Sequence, residues 1–118
     1  MRVLVCGDRN WTDKDTIRKF LLEYNPTVVI EGEARGADSL AREVAEEASI
    51  PVEKYPADWD KYKKAAGPIR NQEMLDKGKP DIVLAFHDDL ENSKGTKHMV
   101  AIAKKAGFKV YLIKHLEA

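Results

Sequence analysis

The fold of this 118-residue chain is decided by residues 28–38, VVIEGEARGAD. A β-branched apolar run leads into two glycines four residues apart, and an alanine-rich helical pattern follows at once. The segment predicts a strand, a tight turn and a helix N-terminus, because glycine tolerates the backbone angles that such turns require. The N–H groups of a helix start and the guanidinium of Arg35 are both suited to binding phosphate. The glycine spacing matches neither the Rossmann dinucleotide fingerprint nor a P-loop.

Composition predicts a single globular domain covering residues 1–118. The hydrophobic share is 43%, and no apolar run is long enough for a membrane span, so we expect no membrane partner. Twenty basic residues balance twenty acidic ones. This balance disfavours a nucleic acid as partner, and single-stranded DNA binding is kept only as an alternative. Cys6 is the only cysteine, and no signal-peptide pattern precedes the first apolar run; both lead us to expect a cytoplasmic location.

Apolar runs alternate with helical patterns along the chain. The runs predict strands at Val3–Cys6, Thr27–Ile30, Val52–Tyr55, Ile82–Phe86 and Val110–Ile113. Helical spacing predicts helices around residues 17–24, 40–48 and 99–106, and a shorter one near Pro68–Lys77. Thr12 is the predicted N-cap of the first helix, and Gly107 is the predicted stop after the last. The alternation predicts an α/β domain with a mainly parallel sheet and helices on both faces.

Glycines and arginines are concentrated at one edge of this predicted sheet. In such sheets ligands bind beyond the carboxyl ends of the strands. Half of the six arginines fall at that edge, namely Arg9, Arg35 and Arg70. The same edge receives five glycines, four acidic residues and three aromatic ones: Gly7, Gly32, Gly36, Gly67, Gly95, Asp8, Glu33, Asp38, Asp58, Trp11, Tyr55 and Trp59. This grouping predicts a binding site for a phosphorylated ligand.

Several of these residues also have purely structural explanations. The loop Asn92–Thr96 has the N–H groups and hydroxyls to bind phosphate, but Ser93 is equally suited to cap the helix that follows. Trp11 and Trp59 either stack on a base or anchor their loops to the core. Asp38 either contacts the ligand or stabilises the first turn of its helix.

Asp8 and Glu33 are candidates for binding ribose hydroxyls or assisting a proton transfer. The sequence His87–Asp89 is rejected as a metal site, because adjacent residues rarely point at one ion. We therefore expect no cofactor and no structural metal, and leave open only weak magnesium binding together with a phosphate. Cys6 is interpreted as a small buried hydrophobic residue.

Four motifs in this order resemble the SLOG superfamily and, within it, the YspA/cpYpsA-related (YAcAr) family: residues 5–11 (VCGDRNW), 31–38 (EGEARGAD), 67–74 (GPIRNQEM) and 93–96 (SKGT). The resemblance implies a Rossmann-like three-layer α/β/α domain with a five-stranded sheet in the order 3-2-1-4-5. Its switch point would lie between the loops that begin at Gly7 and His87. The resemblance also implies a nucleotide or nucleotide-derived ligand, such as an ADP-ribose-like molecule, and suggests a homodimer.

Two relatives within the superfamily suggest sharper functions. The LOG enzymes cleave a nucleoside monophosphate into base and ribose 5-phosphate, and Arg70 matches their arginine–lysine motif, with Asn71 in place of the lysine. Gly95 and Thr96 match their glycine-rich motif, but Met99 stands where that motif has a glutamate. Residues 34–38 (ARGAD) are similar to a motif of the DNA-processing (Smf) proteins, which bind single-stranded DNA.

The sequence therefore predicts a ligand-binding or sensor module for a nucleotide-derived small molecule, with hydrolysis of an N-glycosidic or phosphate-linked bond as the enzymatic alternative. Trp11 or Trp59 would stack on the base, and Arg70, Asp8 and Glu33 would act in any catalysis. The predicted ligand- and phosphate-binding residues are Gly7, Asp8, Arg9, Gly32, Arg35, Gly36, Asp38, Arg70, Asn71, Ser93, Gly95 and Thr96.

Overall fold

Five parallel strands form one sheet in the order β3-β2-β1-β4-β5 in the computed structural model, which describes residues 1–115. The strands are β1 (Arg2–Gly7), β2 (Val28–Glu31), β3 (Val52–Lys54), β4 (Ile82–Phe86) and β5 (Lys109–Ile113). The helices are α1 (Lys14–Glu23), α2 (Ala37–Glu47), α3 (Trp59–Tyr62), α4 (Ala66–Gly78) and α5 (Gly95–Lys105), with short 3-10 turns at Lys63–Ala65 and Leu90–Asn92. The predicted strand order and the Rossmann-like fold are confirmed.

The strand order reverses between β1 and β4. These strands pair directly, from Val3 opposite Ile82 to Gly7 opposite Phe86, and the Asp8 amide donates to the Phe86 carbonyl at 2.9 Å. The chain reaches β2 on one side of β1 and β4 on the other, so the loops after β1 and β4 diverge. A crevice at this switch point is the usual ligand position in such sheets.

Strand β1 lies at the centre of the core and is covered on both faces. Val3 and Val5 pack with apolar residues of α1 and α2, whereas Leu4 and Cys6 pack with those of α4 and α5. The first three of these side chains are 0% exposed and Cys6 is 7% exposed. Burial on both faces explains why β1 reads as a continuous apolar run, and it holds the loop after Gly7 in place.

Element ends differ from the prediction in several places. Asp13, not Thr12, caps α1, because the Asp13 carboxylate accepts the Thr16 amide at 3.1 Å. Strand β2 begins and ends one residue later than predicted, which places Glu31 inside the sheet. Helix α4 begins two residues before Pro68, which is tolerated in the first turn because N–H groups there need no partner in the helix. Gly107, with a φ of +90°, follows α5 as predicted.

The short helix α3 was not predicted. Its four residues are too few to show a helical period, although Asp58 caps it by accepting the Lys61 amide at 3.1 Å. Across the described part of the chain, each helix falls short of the length and apolar character needed to cross a bilayer.

Candidate functional site

Two adjoining cavities open at the carboxyl edge of the sheet. The first lobe, of about 400 Å³, lies between the loop after β1, the turn before α2 and the N-terminus of α5. The second lobe, of about 630 Å³, lies between the same turn and residues 56–59. The lobes share the wall formed by Arg9, Ala34, Arg35 and Arg70. The cleft therefore lies where the sheet topology and the sequence both predicted it.

Nearly all the predicted ligand residues line this cleft. The first lobe contains Gly7, Asp8, Arg9, Arg35, Asp38, Arg70, Asn71, Ser93, Gly95 and Thr96. The second lobe adds Gly32, Glu33 and Trp59. Gly36 and Trp11 do not line either lobe.

Arg70 reaches the cleft from α4 and is held there by hydrogen bonds. Its Nη1 donates to the Gly32 carbonyl at 2.6 Å, and its Nε donates to Asn71 Oδ1 at 3.0 Å. Arg9 lies with its guanidinium carbon 5.9 Å from the centre of the Trp59 ring, within reach of a cation–π interaction. Arg35 is exposed on the turn before α2. The three guanidinium groups make the shared wall positively charged.

Gly32 fits against Arg70 so closely that a methyl group would displace that side chain. A Cβ at this position would lie 2.5 Å from Arg70 Nη1 and 2.9 Å from its Cζ. We expect Gly32→Ala to fold, because the obstructing atoms belong to a flexible side chain, and to lose about 1 kcal/mol of stability with the broken hydrogen bond. Arginine Nε–H signals in NMR spectra should show a shift for Arg70 and none for Arg18. An unchanged Arg70 signal would contradict this contact.

Gly36 joins the two loops that flank the first lobe. Its φ is +76°, and a Cβ there would lie 2.3 Å from the Asp8 carbonyl oxygen. The next residue, Ala37, donates its amide to the same oxygen at 3.1 Å. Glycine is therefore required by both the backbone angle and the close approach, so Gly36 supports the site without lining it.

Asp38 has a structural role in this turn. It is 6% exposed, and its Oδ2 accepts the amides of Gly32 and Ala34 at 3.1 and 3.2 Å. Burial raises the pKa of Asp38 to about 6, although these amides and Arg70 act in the opposite direction. These hydrogen bonds support the structural alternative, in which Asp38 stabilises the turn and the start of α2.

The prediction that Trp11 stacks on a base is wrong. The side chain is 5% exposed, with its Nε1 donating to the Asp13 carbonyl at 2.9 Å. Its ring meets Phe86 and His115 edge-on, at centroid distances of 5.7 and 6.1 Å. Trp11 therefore anchors its loop to the core. Trp59 is 48% exposed in the second lobe and is the tryptophan that a ligand can reach.

Two other predicted ligand residues already have hydrogen-bond partners within the protein. Asn71 is 4% exposed, and its Nδ2 donates to the Gly95 carbonyl at 3.3 Å and to His98 Nδ1 at 3.1 Å. Ser93 lies just before α5, and its hydroxyl oxygen accepts the Thr96 amide in the first turn of that helix at 3.1 Å. Both residues border the first lobe, so they shape its wall through contacts that exist without a ligand.

The first lobe also contains His87, which was interpreted from the sequence only as a possible metal ligand. His87 directly follows β4 and lines the lobe, and its Nδ1 accepts the Asp89 amide at 2.9 Å. With Nδ1 as an acceptor, the ring hydrogen is on Nε2. Its position beside the switch point was the signal that could have identified it. Within residues 1–115, no group of three or more histidine, cysteine or acidic side chains is arranged to hold a metal ion.

Two apolar residues limit the chemistry of the first lobe. Cys6 lines it, but burial, with a smaller effect from Asp38, raises the pKa of the thiol far above its usual range, which disfavours the thiolate that nucleophilic attack requires. Met99, at the position of the LOG glutamate, is 1% exposed in the apolar core. The cleft has no carboxylate at that place.

Comparison with known proteins agrees with this architecture. The model of the YspA, cpYpsA-related SLOG family (YAcAr) matches residues 1–62, which include β1, the turn before α2 and Trp59. The chain is also 40% identical over 119 residues to the "Gene 61 protein" of Mycobacterium phage D29, covering 92% of this chain and 93% of the phage protein. The chain thus belongs to the YspA, cpYpsA-related family of SLOG proteins.

Proposed function

We propose that this protein is a ligand-binding or sensor module for a phosphorylated nucleotide or a nucleotide-derived small molecule. The observation that carries the proposal is the convergence of Arg9, Arg35 and Arg70 on the wall shared by the two lobes. None of these arginines forms an ion pair with a carboxylate of the described residues. Guanidinium groups so placed are suited to phosphate, which they bind through paired hydrogen bonds.

A phosphate would bind at the three arginines of the shared wall, and the two lobes on either side of that wall are lined by different kinds of residue. The second lobe contains the exposed face of Trp59 with Pro56 and Ala57, which suits a base. The first lobe contains Asp8 together with Gly95 and Thr96 at the N-terminus of α5. A carboxylate suits ribose hydroxyls, and a helix N-terminus suits a further phosphate. A nucleotide-derived ligand with a second ribose beyond its phosphates, as in an ADP-ribose-like molecule, therefore finds a complementary group at each of its parts when it binds across the shared wall.

Removing one exposed arginine should weaken nucleotide binding. We expect Arg35→Met to raise the Kd of adenosine 5′-monophosphate at least tenfold, which corresponds to about 1.4 kcal/mol. Isothermal titration calorimetry would measure the Kd. Arg18→Met is the matched control, because Arg18 pairs with Asp15 of α1 and Glu47 of α2 and lines neither lobe.

Two results would contradict the proposal. One is a folded wild-type protein whose unfolding temperature is unchanged by nucleoside phosphates or ADP-ribose, since a ligand at a hundred times its Kd stabilises by about 2.7 kcal/mol. The other is an Arg35→Met variant that binds as tightly as the wild type. Binding of single-stranded DNA, one of the two alternatives, would be recognised by a steep loss of affinity with salt.

Hydrolysis of the bound ligand is a second candidate, which the position of His87 favours. His87 and Asp8 both line the first lobe and provide groups for proton transfer, whereas Glu33 lies in the second lobe. Chromatography of a nucleotide incubated with the protein would detect free base or sugar phosphate. Product formation that survives both His87→Ala and Asp8→Asn would exclude these residues as its source.

A further inference from the structure

A third, smaller cavity lies beside the turn between β2 and α2. Its volume is about 200 Å³, and its walls are formed by Glu31, Glu33, Ala34, Ser39 and Arg42. Glu33 and Ala34 also line the second lobe, so the small cavity adjoins the lobe that contains Trp59. Neither Trp11 nor Trp59, the two residues that the sequence predicted to stack on a base, lines this small cavity.

Two of the residues that line it each carry a buried polar atom with no hydrogen-bond partner in the described part of the chain. Glu31 is 0% exposed; its Oε2 accepts the Glu33 amide, but its Oε1 has no partner in the described residues. The Nε of Arg42 is likewise buried and unpaired there. Buried polar groups are nearly always paired, so an acceptor and a donor left free on two residues that line one cavity indicate an occupant.

The charges around the cavity narrow the choice of occupant. A phosphate would meet the carboxyl groups of Glu31 and Glu33, and a cation would meet the guanidinium of Arg42. A neutral group that has a hydrogen-bond donor beside an acceptor is repelled neither by the carboxyl groups nor by the guanidinium. The hydrogen-bonding edge of a nucleobase has this arrangement, because ring nitrogens, amines and carbonyls alternate along it.

We infer that the small cavity receives the edge of the nucleobase whose ring stacks on Trp59, with the base donating to Glu31 Oε1 and accepting from Arg42 Nε. This inference rests on the proposed nucleotide function and assigns base selectivity to Glu31 and Arg42. The competing occupant is an ordered water molecule, which would satisfy the same two atoms without affecting which nucleotide binds.

Each side chain can be tested by a substitution that changes its hydrogen bonding and keeps its length. Arg42→Met removes the donor. Glu31→Gln turns the free acceptor into a donor, because the Glu33 amide keeps the remaining amide oxygen of the new side chain facing it. Arg18→Met is the control for loss of an arginine elsewhere.

Calorimetric titrations at pH 8, where Glu31 is ionised and its Oε1 is an acceptor, would compare ribose 5-phosphate with the 5′-monophosphates of adenosine, guanosine, cytidine and uridine. We expect the wild type to bind its preferred nucleotide at least tenfold more tightly than ribose 5-phosphate. Both Arg42→Met and Glu31→Gln should reduce that preference at least tenfold, while the Kd of ribose 5-phosphate changes less than twofold. Arg18→Met should change neither the preference nor the Kd of ribose 5-phosphate. Unfolding temperatures would establish that each variant is folded.

Other outcomes separate this inference from the proposed function. If ribose 5-phosphate binds as tightly as every nucleotide, or if both variants keep the wild-type preference, the cavity holds only water and the inference is overturned. The nucleotide function then stands. If neither ribose 5-phosphate nor any nucleotide binds the folded protein, both fail.

Discussion

Gly36→Ala should lower the free energy of unfolding by about 2–5 kcal/mol. The residue has a φ of +76°, and an added Cβ would lie 2.3 Å from the Asp8 carbonyl oxygen and 2.5 Å from the Arg9 carbonyl carbon and oxygen. All three atoms belong to the backbone, so relief requires the loop after β1 to move away from the turn before α2. A loss of this size is a large fraction of the stability of a typical domain.

Urea unfolding followed by circular dichroism would measure this effect. Gly95→Ala is the matched control, because nothing lies within 4 Å of a Cβ at that position and the residue is the first of α5. Alanine favours helix over glycine, so the control should be neutral or more stable by up to about 1 kcal/mol. Equal effects of the two substitutions would show that the loops do not meet at Gly36 as described.

Stability should fall by roughly 3 kcal/mol as the pH rises from about 4.5 to 8, through the ionisation of Glu31. Burial is the main cause that raises the pKa of Glu31 from 4.5 to about 7. Between these values the folded state keeps a proton that the unfolded state has released. The unfolded state therefore binds fewer protons, and stability decreases with pH across that window. Asp38, whose pKa is raised to about 6, also lowers stability as the pH rises, in the more acidic part of this range.

The contribution of Glu31 is isolated by Glu31→Gln, whose amide does not ionise. Chemical unfolding of both proteins at pH 5, 6, 7 and 8 should show a smaller decrease for the variant. The difference should grow up to about pH 7 and then level off. Parallel curves for the two proteins would mean that Glu31 remains ionised in the folded state.

The sheet could be predicted because its strands are nearly continuous apolar runs. β4, for example, is buried along its whole length, and its predicted bounds, Ile82–Phe86, are those observed. The strand order came from the resemblance of motifs rather than from periodicity, which carries no information on which strands are neighbours. The cap of α1 and helix α3 were missed because each depends on one or two local hydrogen bonds that leave no period in the sequence.

The candidate site could be located from sequence, but the contacts of its side chains could not. The rule that ligands meet the carboxyl ends of strands was sufficient to group Arg9, Arg35 and Arg70. It could not show that Trp11 turns into the core or that Asp38 binds amides of its own turn. Those outcomes depend on packing between elements that are distant in sequence, such as the contact of Trp11 with Phe86.

The hydrogen bonds that hold Arg70 to the Gly32 carbonyl and to Asn71 give it an entropic advantage over Arg35. A free arginine side chain loses up to about 2 kcal/mol of conformational entropy when it is immobilised. In Arg70 much of that loss has already occurred during folding, so an incoming anion need only orient Arg35 and Arg9. Association at this cleft should therefore begin at a preorganised guanidinium, with the exposed Arg35 closing on the anion afterwards.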